Sequence, residues 1–375
     1  MKILFTGGGT GGHFYPIIAV AEEINIISQE EHLLTPKMYF VAPGAYDKDL
    51  LYENNIEFIK NPAGKLRRYF SIRNFFDIIK TGYGIILAII QLFNIYPDVI
   101  FAKGGFGSFP ILVAAKLLRI PVVIHESDSV PGRTNLFAGK FAKRIAISYP
   151  DSVKFFDESK VALTGSPVRR QMLNLQKSGA YEFLKLEENV PVILILSGSQ
   201  GSEKINNVIL ETLSDLVDKY QIIHQTGNKN IKGVTQASQI ALSDNKNKER
   251  YRPFPYLDTL ALRMSAGIAD LIITRGGSTL FEIAAWGVPS IVIPIENTNG
   301  DHQRKNAFTY AQAGAAVVIE EKNLSPHVLF ADINRLMDSP KDRELMSAAA
   351  KRFAMPDAAR KIAREIIKIG LGHEK

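Results

Sequence analysis

One local unit constrains the fold more than any other feature, and it occurs four times: a short apolar run, a glycine-rich turn, then a helical pattern. Ile3-Leu4-Phe5 runs into Gly7-Gly8-Gly9-Thr10-Gly11-Gly12-His13, after which Pro16 is expected to open a helix carrying Ile17, Val20, Ala21 and Ile24. Val99-Ile100-Phe101 runs into Gly104-Gly105-Phe106-Gly107-Ser108, with Pro110 starting the next helix. In the second half, Val192-Ile193-Leu194-Ile195-Leu196 meets Ser197-Gly198-Ser199-Gln200-Gly201. Leu271-Ile272-Ile273-Thr274 meets Arg275-Gly276-Gly277-Ser278, followed by a helix through Glu282 to Trp286. Near-continuous apolar strands alternating with helices require cover on both faces, so the fold class is α/β with parallel sheets. Four such units in 375 residues imply two sheets and two domains. Further strands are predicted at 38–42, 121–125, 144–148, 220–225, 289–294 and 315–319. Turn residues at Thr164-Gly165-Ser166-Pro167 interrupt the pattern. The expected division is therefore 1–164, 165–350 and a last segment, 351–375, that reads from Met355-Pro356-Asp357 onward as one amphipathic helix.

Composition narrows the chemistry. With 46% hydrophobic and 22% charged residues the chain can fill full cores, which excludes a disordered or fibrous architecture. It has no cysteine, so a disulfide framework, a cysteine nucleophile and a thiolate zinc site are excluded. Against 38 Asp and Glu stand 45 Lys and Arg, a formal charge of +7 that favours anionic partners without choosing among them. No nucleic-acid-binding motif is present, so nucleic acid is not an expected partner. The apolar residues after Met1 give way to glycine too soon for a signal peptide, and a cytoplasmic protein is expected.

In open α/β sheets, ligands sit beyond the carboxyl ends of the strands, where helix N-termini present free N–H groups to anions. Glycine there lets a phosphate approach the backbone closely. Four turns over two domains predict two facing ligand surfaces, one for a nucleotide diphosphate and one for a second substrate. Gly7 to Gly12 also fits the dinucleotide-binding pattern G-x-G-x-x-G. A nicotinamide site needs an acidic residue at the end of the second strand, however, and Glu30 and Glu31 precede Met38-Tyr39-Phe40-Val41. No Gly-Lys-Ser/Thr ending follows any turn, which argues against a P-loop. The one Asp-x-Asp, Asp47-Lys48-Asp49, is read as a helix cap.

Taken in order, the motifs resemble the MurG-type transferases, the UDP-N-acetylglucosamine:lipid I N-acetylglucosaminyltransferases of peptidoglycan synthesis. The resemblance runs from Gly8-Gly9-Thr10-Gly11-Gly12-His13 through Gly104 to Pro110, His125-Glu126-Ser127-Asp128, Gly165-Ser166-Pro167-Val168-Arg169, Gly198-Ser199-Gln200-Gly201 and Asp301 to Ala307, ending at Pro356-Asp357-Ala358. It implies the GT-B fold: two Rossmann-like, doubly wound parallel-sheet domains facing across a cleft, with a C-terminal helix crossing back. It implies transfer of N-acetylglucosamine to the 4-hydroxyl of N-acetylmuramic acid in lipid I, with inversion and with no cofactor or metal required, since amide dipoles and Arg169 can neutralise the leaving diphosphate. By the same resemblance Ser199 and Arg169 would hold phosphate, Glu282 the ribose hydroxyls, the backbone at Leu257 the uracil, and Gln303 the sugar hydroxyls. The backbone of Ser278, Thr279, Leu280 and Phe281 would line the donor, and Thr10, Gly11 and Gly12 would face its sugar and diphosphate. His13 is the candidate base, either in that role or as a contact to the lipid's diphosphate; Glu126 and His125 are the runners-up.

Three departures from the family pattern carry consequences. Asp128 stands where many members have an amide that contacts the donor, and Asn135 is its possible substitute. The turn Arg275 to Glu282 is one residue shorter than usual, which shifts its backbone donors. Gly165-Ser166-Pro167 replaces Gly-Asn-Pro. A lipid-linked acceptor also implies peripheral docking at the cytoplasmic face of the cell membrane. Lys65, Arg67, Arg68, Arg73 and Lys80 among Tyr69, Phe70, Phe75 and Phe76 suit an anionic bilayer. The charge-free stretch between Lys80 and Asp98 is read as a buried or membrane-facing helix rather than a span. Other functions remain open from sequence: another GT-B UDP-sugar transferase with a lipid acceptor, or a nucleotide-sugar-binding protein without catalysis.

Overall fold

In the computed structural model, which describes residues 1–65, 72–198, 200–296 and 298–372, each apolar run is a strand buried on both faces. The chain forms two compact units, Met1–Arg170 with Met355–Lys375, and Gln171–Ala354. The residues from Gly165 to Arg170 thus go with the first unit, a few positions beyond the break expected after Thr164.

The first unit holds β1 (Lys2–Thr6), β2 (Lys37–Ala42), β3 (Ile56–Lys60), β4 (Val99–Ala102), β5 (Val122–Glu126), β6 (Arg144–Ile147) and β7 (Val161–Leu163). They make one parallel sheet in the order β3-β2-β1-β4-β5-β6-β7. The second holds β8 (Val192–Leu196), β9 (Gln221–Gln225), β10 (Tyr251–Phe254), β11 (Leu271–Thr274), β12 (Ser290–Val292) and β13 (Ala316–Val318), parallel in the order β10-β9-β8-β11-β12-β13. Strand order reverses between β1 and β4 in one sheet and between β8 and β11 in the other. All four glycine turns follow these four strands, so they lie at the two switch points where such sheets bind ligands.

Ile3, Leu4 and Phe5 of β1 are fully buried, as are the four residues from Val192 to Ile195, and Leu196 is buried to within a few per cent. Among the described residues, three strands were not predicted: β3, β7 and β10. Each is an edge strand, and edges need not be apolar on both faces: β3 reads Ile-Glu-Phe-Ile-Lys, β7 has three residues, and β10 contains Pro253, which an edge tolerates. The first helix, Gly11–Glu30, begins five residues before Pro16, with Thr10 extended at its N-cap (φ −134°, ψ 156°); Pro16 lies inside it.

The terminal helix Ala358–Leu371 packs on the helix Gly11–Glu30, burying Ile362, Ala363, Ile366, Ile367 and Ile369 in the first unit's core. Glu23, 5% exposed, takes ion pairs from Arg170 and Arg360 and so ties both chain ends of that unit to one helix. A buried carboxylate needs such partners to offset its desolvation. Asp47 caps the helix Lys48–Glu53, its Oδ1 accepting from the N–H groups of Asp49 and Leu50 at 3.1 Å each.

Candidate functional site

In the first unit, the β1 and β4 turns touch. A Cβ on Gly105 (φ +80°) would come within 2.8 Å of the Cα of Gly8 and 3.2 Å of His13 Nε2, so only glycine permits this approach. His13 stands in the first turn of the helix Gly11–Glu30, half-buried, with Nδ1 2.8 Å from Thr10 Oγ1. When Nδ1–H donates to Thr10, Nε2 keeps a free lone pair. Burial, then the Lys103 cation, lower the His13 pKa from 6.5 to about 4, against the opposing pull of Asp128. The imidazole is therefore neutral at pH 7, further from neutrality in pKa than a base of this kind was expected to be.

Glu126 ends β5. Its Oε1 accepts from the Asp128 N–H (3.0 Å), and its Oε2 from the Gly132 N–H (3.1 Å) and Asn135 Nδ2 (2.9 Å). Asn135 Nδ2 also reaches the His125 carbonyl at 3.1 Å. Burial and Asp128 raise the Glu126 pKa to about 6. Asn135 is 3% exposed, and its amide is thus engaged within the protein. Neighbouring His125 is fully buried, with Nε2 3.0 Å from the Gly165 carbonyl and 3.2 Å from Ser148 Oγ. It pins the 165–169 segment rather than facing solvent.

Arg169 lies in the first unit, 6% exposed, its guanidinium carbon 4.4 Å from the centre of the Tyr15 ring. Tyr15 meets Tyr46 edge-on at 5.7 Å, and a Cβ on Gly11 would come 2.7 Å from the Tyr46 hydroxyl. Arg169 thus stacks on Tyr15, whose ring lies beside Gly11, an aromatic bed that sequence reasoning did not single out.

In the second unit the turn after β8 has Gly198 and Gly201 at positive φ (+81° and +74°). Ser199 lies outside the described residues. Arg275, partly buried, donates from Nη1 to the Gly201 carbonyl at 3.2 Å and covers Gly198, so it joins the β8 and β11 turns. Burial lowers its pKa. A Cβ on Gly276 would come within 2.2 Å of the Gln303 carbonyl, and Asn306 Nδ2 donates to the Gly276 carbonyl at 3.2 Å. Gln303 Oε1 accepts from the Ile295 N–H at 3.2 Å, which leaves its amide nitrogen as the end for other partners. Ser278 and Thr279 open the helix Thr279–Trp286; Leu280 and Phe281 are buried in it, and Glu282 is half-buried in its first turn. The Leu257 N–H donates to Gln225 Oε1 at 3.0 Å, so that backbone donor is already used. Arg275, Gln225 and Asn306 were missed as site residues: nothing in periodicity or spacing marks a polar side chain that serves the turn of another strand.

Buried imidazoles also set the acid stability. In the second unit His224 Nε2 lies 3.1 Å from Asn206 Oδ1 and Nδ1 lies 2.9 Å from the Tyr251 hydroxyl, and burial lowers its pKa to about 3. His125 is likewise held well below 6.5, by burial and then by Lys103. In the unfolded chain these histidines bind protons below about pH 6.5, whereas the folded chain resists. Stability is therefore fully present above 6.5 and is lost as pH falls toward the folded values. Glu126, raised to about 6, opposes this between about 6 and 4.5. We expect the urea midpoint to fall from pH 7 to pH 5, with a shallower fall in His224→Gln; a midpoint flat over that range would contradict it.

Two domain families match, the Glycosyltransferase family 28 N-terminal domain over residues 3–147 and the Glycosyltransferase family 28 C-terminal domain over residues 192–362. The UDP-N-acetylglucosamine–N-acetylmuramyl-(pentapeptide) pyrophosphoryl-undecaprenol N-acetylglucosamine transferase of Halothermothrix orenii is 34% identical over 362 residues, 95% of each chain. That of Natranaerobius thermophilus is 32% identical over 368 residues, 97% of this chain and 98% of its own. Among solved structures, MurG of Acinetobacter baumannii superposes with a TM-score of 0.72 at 24% identity, covering 98% of this chain and 99% of that one. A UDP-GlcNAc 2-epimerase from Neisseria meningitidis, bound to UDP-GlcNAc, superposes at 0.69 with 17% identity over 98% and 100%. With two parallel-sheet units of the GT-B class and this degree of identity along its length, the chain belongs to the family 28 glycosyltransferases that are UDP-N-acetylglucosamine–N-acetylmuramyl-(pentapeptide) pyrophosphoryl-undecaprenol N-acetylglucosamine transferases.

Proposed function

We infer that this chain is a UDP-N-acetylglucosamine-dependent hexosyltransferase that adds N-acetylglucosamine to lipid I, undecaprenyl-pyrophosphoryl-N-acetylmuramyl-pentapeptide, and forms lipid II in peptidoglycan synthesis. The observation that carries this is 34% identity over 95% of the chain to a transferase of that name. A different lipid acceptor or a non-catalytic binder is not favoured, because the likeness spans both halves and the glycine turns of both switch points are intact. Incubation with UDP-N-acetylglucosamine and a lipid I analogue should give one added N-acetylglucosamine by mass; UDP consumption without that product, or no turnover, would overturn the assignment.

For the chemistry we propose that His13 Nε2 takes the proton of the acceptor's 4-hydroxyl as its oxygen bonds to the anomeric carbon and the bond from that carbon to the UDP oxygen breaks. Support comes from the neutral imidazole, the Thr10 contact that selects its tautomer, and the saturation of Glu126 by three donors. On the leaving side, the family motif gives Arg169 and Ser199 the role of meeting the negative charge that develops on the diphosphate, beside glycine-turn amides. Glu282 would take the ribose hydroxyls, Gln303 a sugar hydroxyl through its amide nitrogen, and Leu257 the uracil through its carbonyl, since its N–H is spent on Gln225. Asp128 and Asn135 are both drawn into the Glu126 network, which makes them supports of the loop before any donor contact.

The enzyme acts on a membrane-bound acceptor, and we propose that it does so from the cytoplasmic face through the helix Ile72–Ile95. Of the basic and aromatic residues named for docking, Arg67, Arg68, Tyr69 and Phe70 lie outside the described residues, as does the side chain of Arg73; Lys65, Lys80, Phe75 and Phe76 are exposed. The segment Phe75–Ile95 is long and apolar enough to cross a membrane by length and composition. Its attachments support lying on a membrane instead. Gly64 N–H donates to Thr81 Oγ1 (3.1 Å), Asn61 Nδ2 donates to the Gly84 carbonyl (3.1 Å) and to Gln91 Oε1 (2.9 Å), and Ala88 and Leu92 are fully buried in the core.

A further inference from the structure

Tyr46, on the loop between β2 and the helix Lys48–Glu53, stands at φ +59°, a left-handed conformation that a ring-bearing residue adopts only where its surroundings hold it. The surroundings are aromatic. Its ring tilts against the fully buried Phe14 with centroids 5.0 Å apart and meets Tyr15 edge-on at 5.7 Å. Phe14 packs in turn on Phe40 of β2 at 5.7 Å. On the other side the chain is fixed by the Asp47 cap of the next helix. The Tyr46 hydroxyl is thereby placed over the first turn of the helix Gly11–Glu30: a Cβ on Gly11 would come 2.7 Å from it and 3.0 Å from Tyr15 Cε2. Two tyrosines thus close on the bare Cα of Gly11.

The same pair carries Arg169, whose guanidinium carbon lies 4.4 Å from the centre of the Tyr15 ring. Backbone on both sides of Arg169 is tied down. The Gly165 carbonyl is 3.0 Å from His125 Nε2, and the Arg170 N–H donates to Glu22 Oε2 at 3.1 Å. Stacking occupies the face of a guanidinium and not its in-plane N–H groups, which are the ones that grip a phosphate. Where those groups point therefore depends on how the Tyr15 ring stands, and Tyr46 meets that ring at its edge.

We propose that Tyr46 is a positioning residue for the transfer reaction: from its left-handed position it braces the Tyr15 ring, and through that ring it sets where the Arg169 guanidinium meets the donor's diphosphate. This rests on the reading of Arg169 as a diphosphate contact. Tyr46 acts through Tyr15 and need touch no substrate itself.

The test uses the full chain with UDP-N-acetylglucosamine and a water-soluble lipid I analogue, with UDP and uridine as competing inhibitors. Tyr46→Gly suits the left-handed backbone and removes the ring. It should lower kcat/KM for UDP-N-acetylglucosamine at least about fivefold and weaken inhibition by UDP by a similar factor, while inhibition by uridine, which has no phosphate, changes less than about twofold. Tyr46→Phe keeps the ring and should stay within about twofold of wild type in all three measurements. In an Arg169→Ala background, Tyr46→Gly should cost less than about twofold more, because the group it positions is gone. Wild-type constants in Tyr46→Gly would overturn the proposal, as would a loss in Tyr46→Phe as large as in Tyr46→Gly. Equal weakening of UDP and uridine, or an undiminished loss in the Arg169→Ala background, would overturn it too, since either marks a general disturbance of the site. If Arg169→Ala gives no cooperative melt, the ratio of UDP to uridine inhibition in Tyr46→Gly decides alone, and an unchanged ratio overturns the proposal. Near-normal kcat/KM and UDP inhibition in Arg169→Ala would instead defeat the reading of Arg169, a result separable from failure of Tyr46.

Discussion

His13→Ala is expected to lower turnover at least about tenfold, and up to about a thousandfold if proton transfer is fully rate-limiting, while the affinity for UDP-N-acetylglucosamine changes less than about threefold. The split follows from where the groups sit. His13 belongs to the β1 turn of the first unit, whereas Glu282, Gln303, Arg275 and the β8 turn belong to the second. Deleting the imidazole therefore removes an acceptor for the hydroxyl proton and leaves most donor contacts in place. Its acid-side behaviour also distinguishes it from an ordinary histidine. An unperturbed imidazole would lose half its base form at about pH 6.5. With its pKa lowered to about 4 by burial and Lys103, His13 stays in base form through that range. Isothermal titration with UDP-N-acetylglucosamine beside a steady-state assay measures both halves; near-normal turnover in the variant would remove His13 from the mechanism.

The alternative base, Glu126, has the more familiar raised carboxyl, but geometry works against it. Both oxygens already accept hydrogen bonds, three in total, from two backbone amides and Asn135. Protonating it would set an O–H against one of those donors, so its value is in shaping the loop. The amide of Asn135 shows the same economy of place: it spans the His125 carbonyl, Glu126 and the back of Gly104.

What could be seen in the sequence and what could not divide along physical lines. Central strands such as β1, β4, β8 and β11 are buried on both faces and announce themselves as apolar runs, and the turns after them as glycine clusters. The pairing that makes these four strands the switch points is a fact of topology, invisible in any window of sequence. Edge strands β3, β7 and β10 carry charge, brevity or proline and escape notice. Among the residues proposed for the site, the motif glycines and His13 stand out in the sequence because their spacing is local. Arg275, Gln225 and Tyr15 do not, because each acts on a turn or side chain distant in sequence. Arg169 was placed by motif with the second domain, yet it is held by Tyr15 of the first. A boundary drawn at turn residues does not record which core the next few side chains join.

The second large effect is expected at the membrane. Along the helix Ile72–Ile95, Phe76, Ile79, Tyr83, Ile86, Ile90 and Phe93 fall at alternating spacings of three and four, which places them on one stripe. All six are more than half exposed, from 53% at Ile90 to 70% at Phe93. Water-facing apolar surface of this extent marks a docking site, and the relatives' pyrophosphoryl-undecaprenol acceptor identifies a bilayer as the partner of matching chemistry. Each such side chain contributes roughly 1.5–3 kcal/mol when taken out of water. Replacing Ile79 and Ile86 by Glu removes two and puts two anions against the bilayer, at little cost to folding because both sites are exposed. The double variant should lose flotation with anionic vesicles, and its kcat/KM on long-chain lipid I should drop at least about tenfold. Turnover of a water-soluble, short-chain acceptor should stay within about twofold, since the transfer groups are untouched. Equal flotation of wild type and variant, or equal losses on both acceptors, would show that this stripe serves something other than the lipid surface.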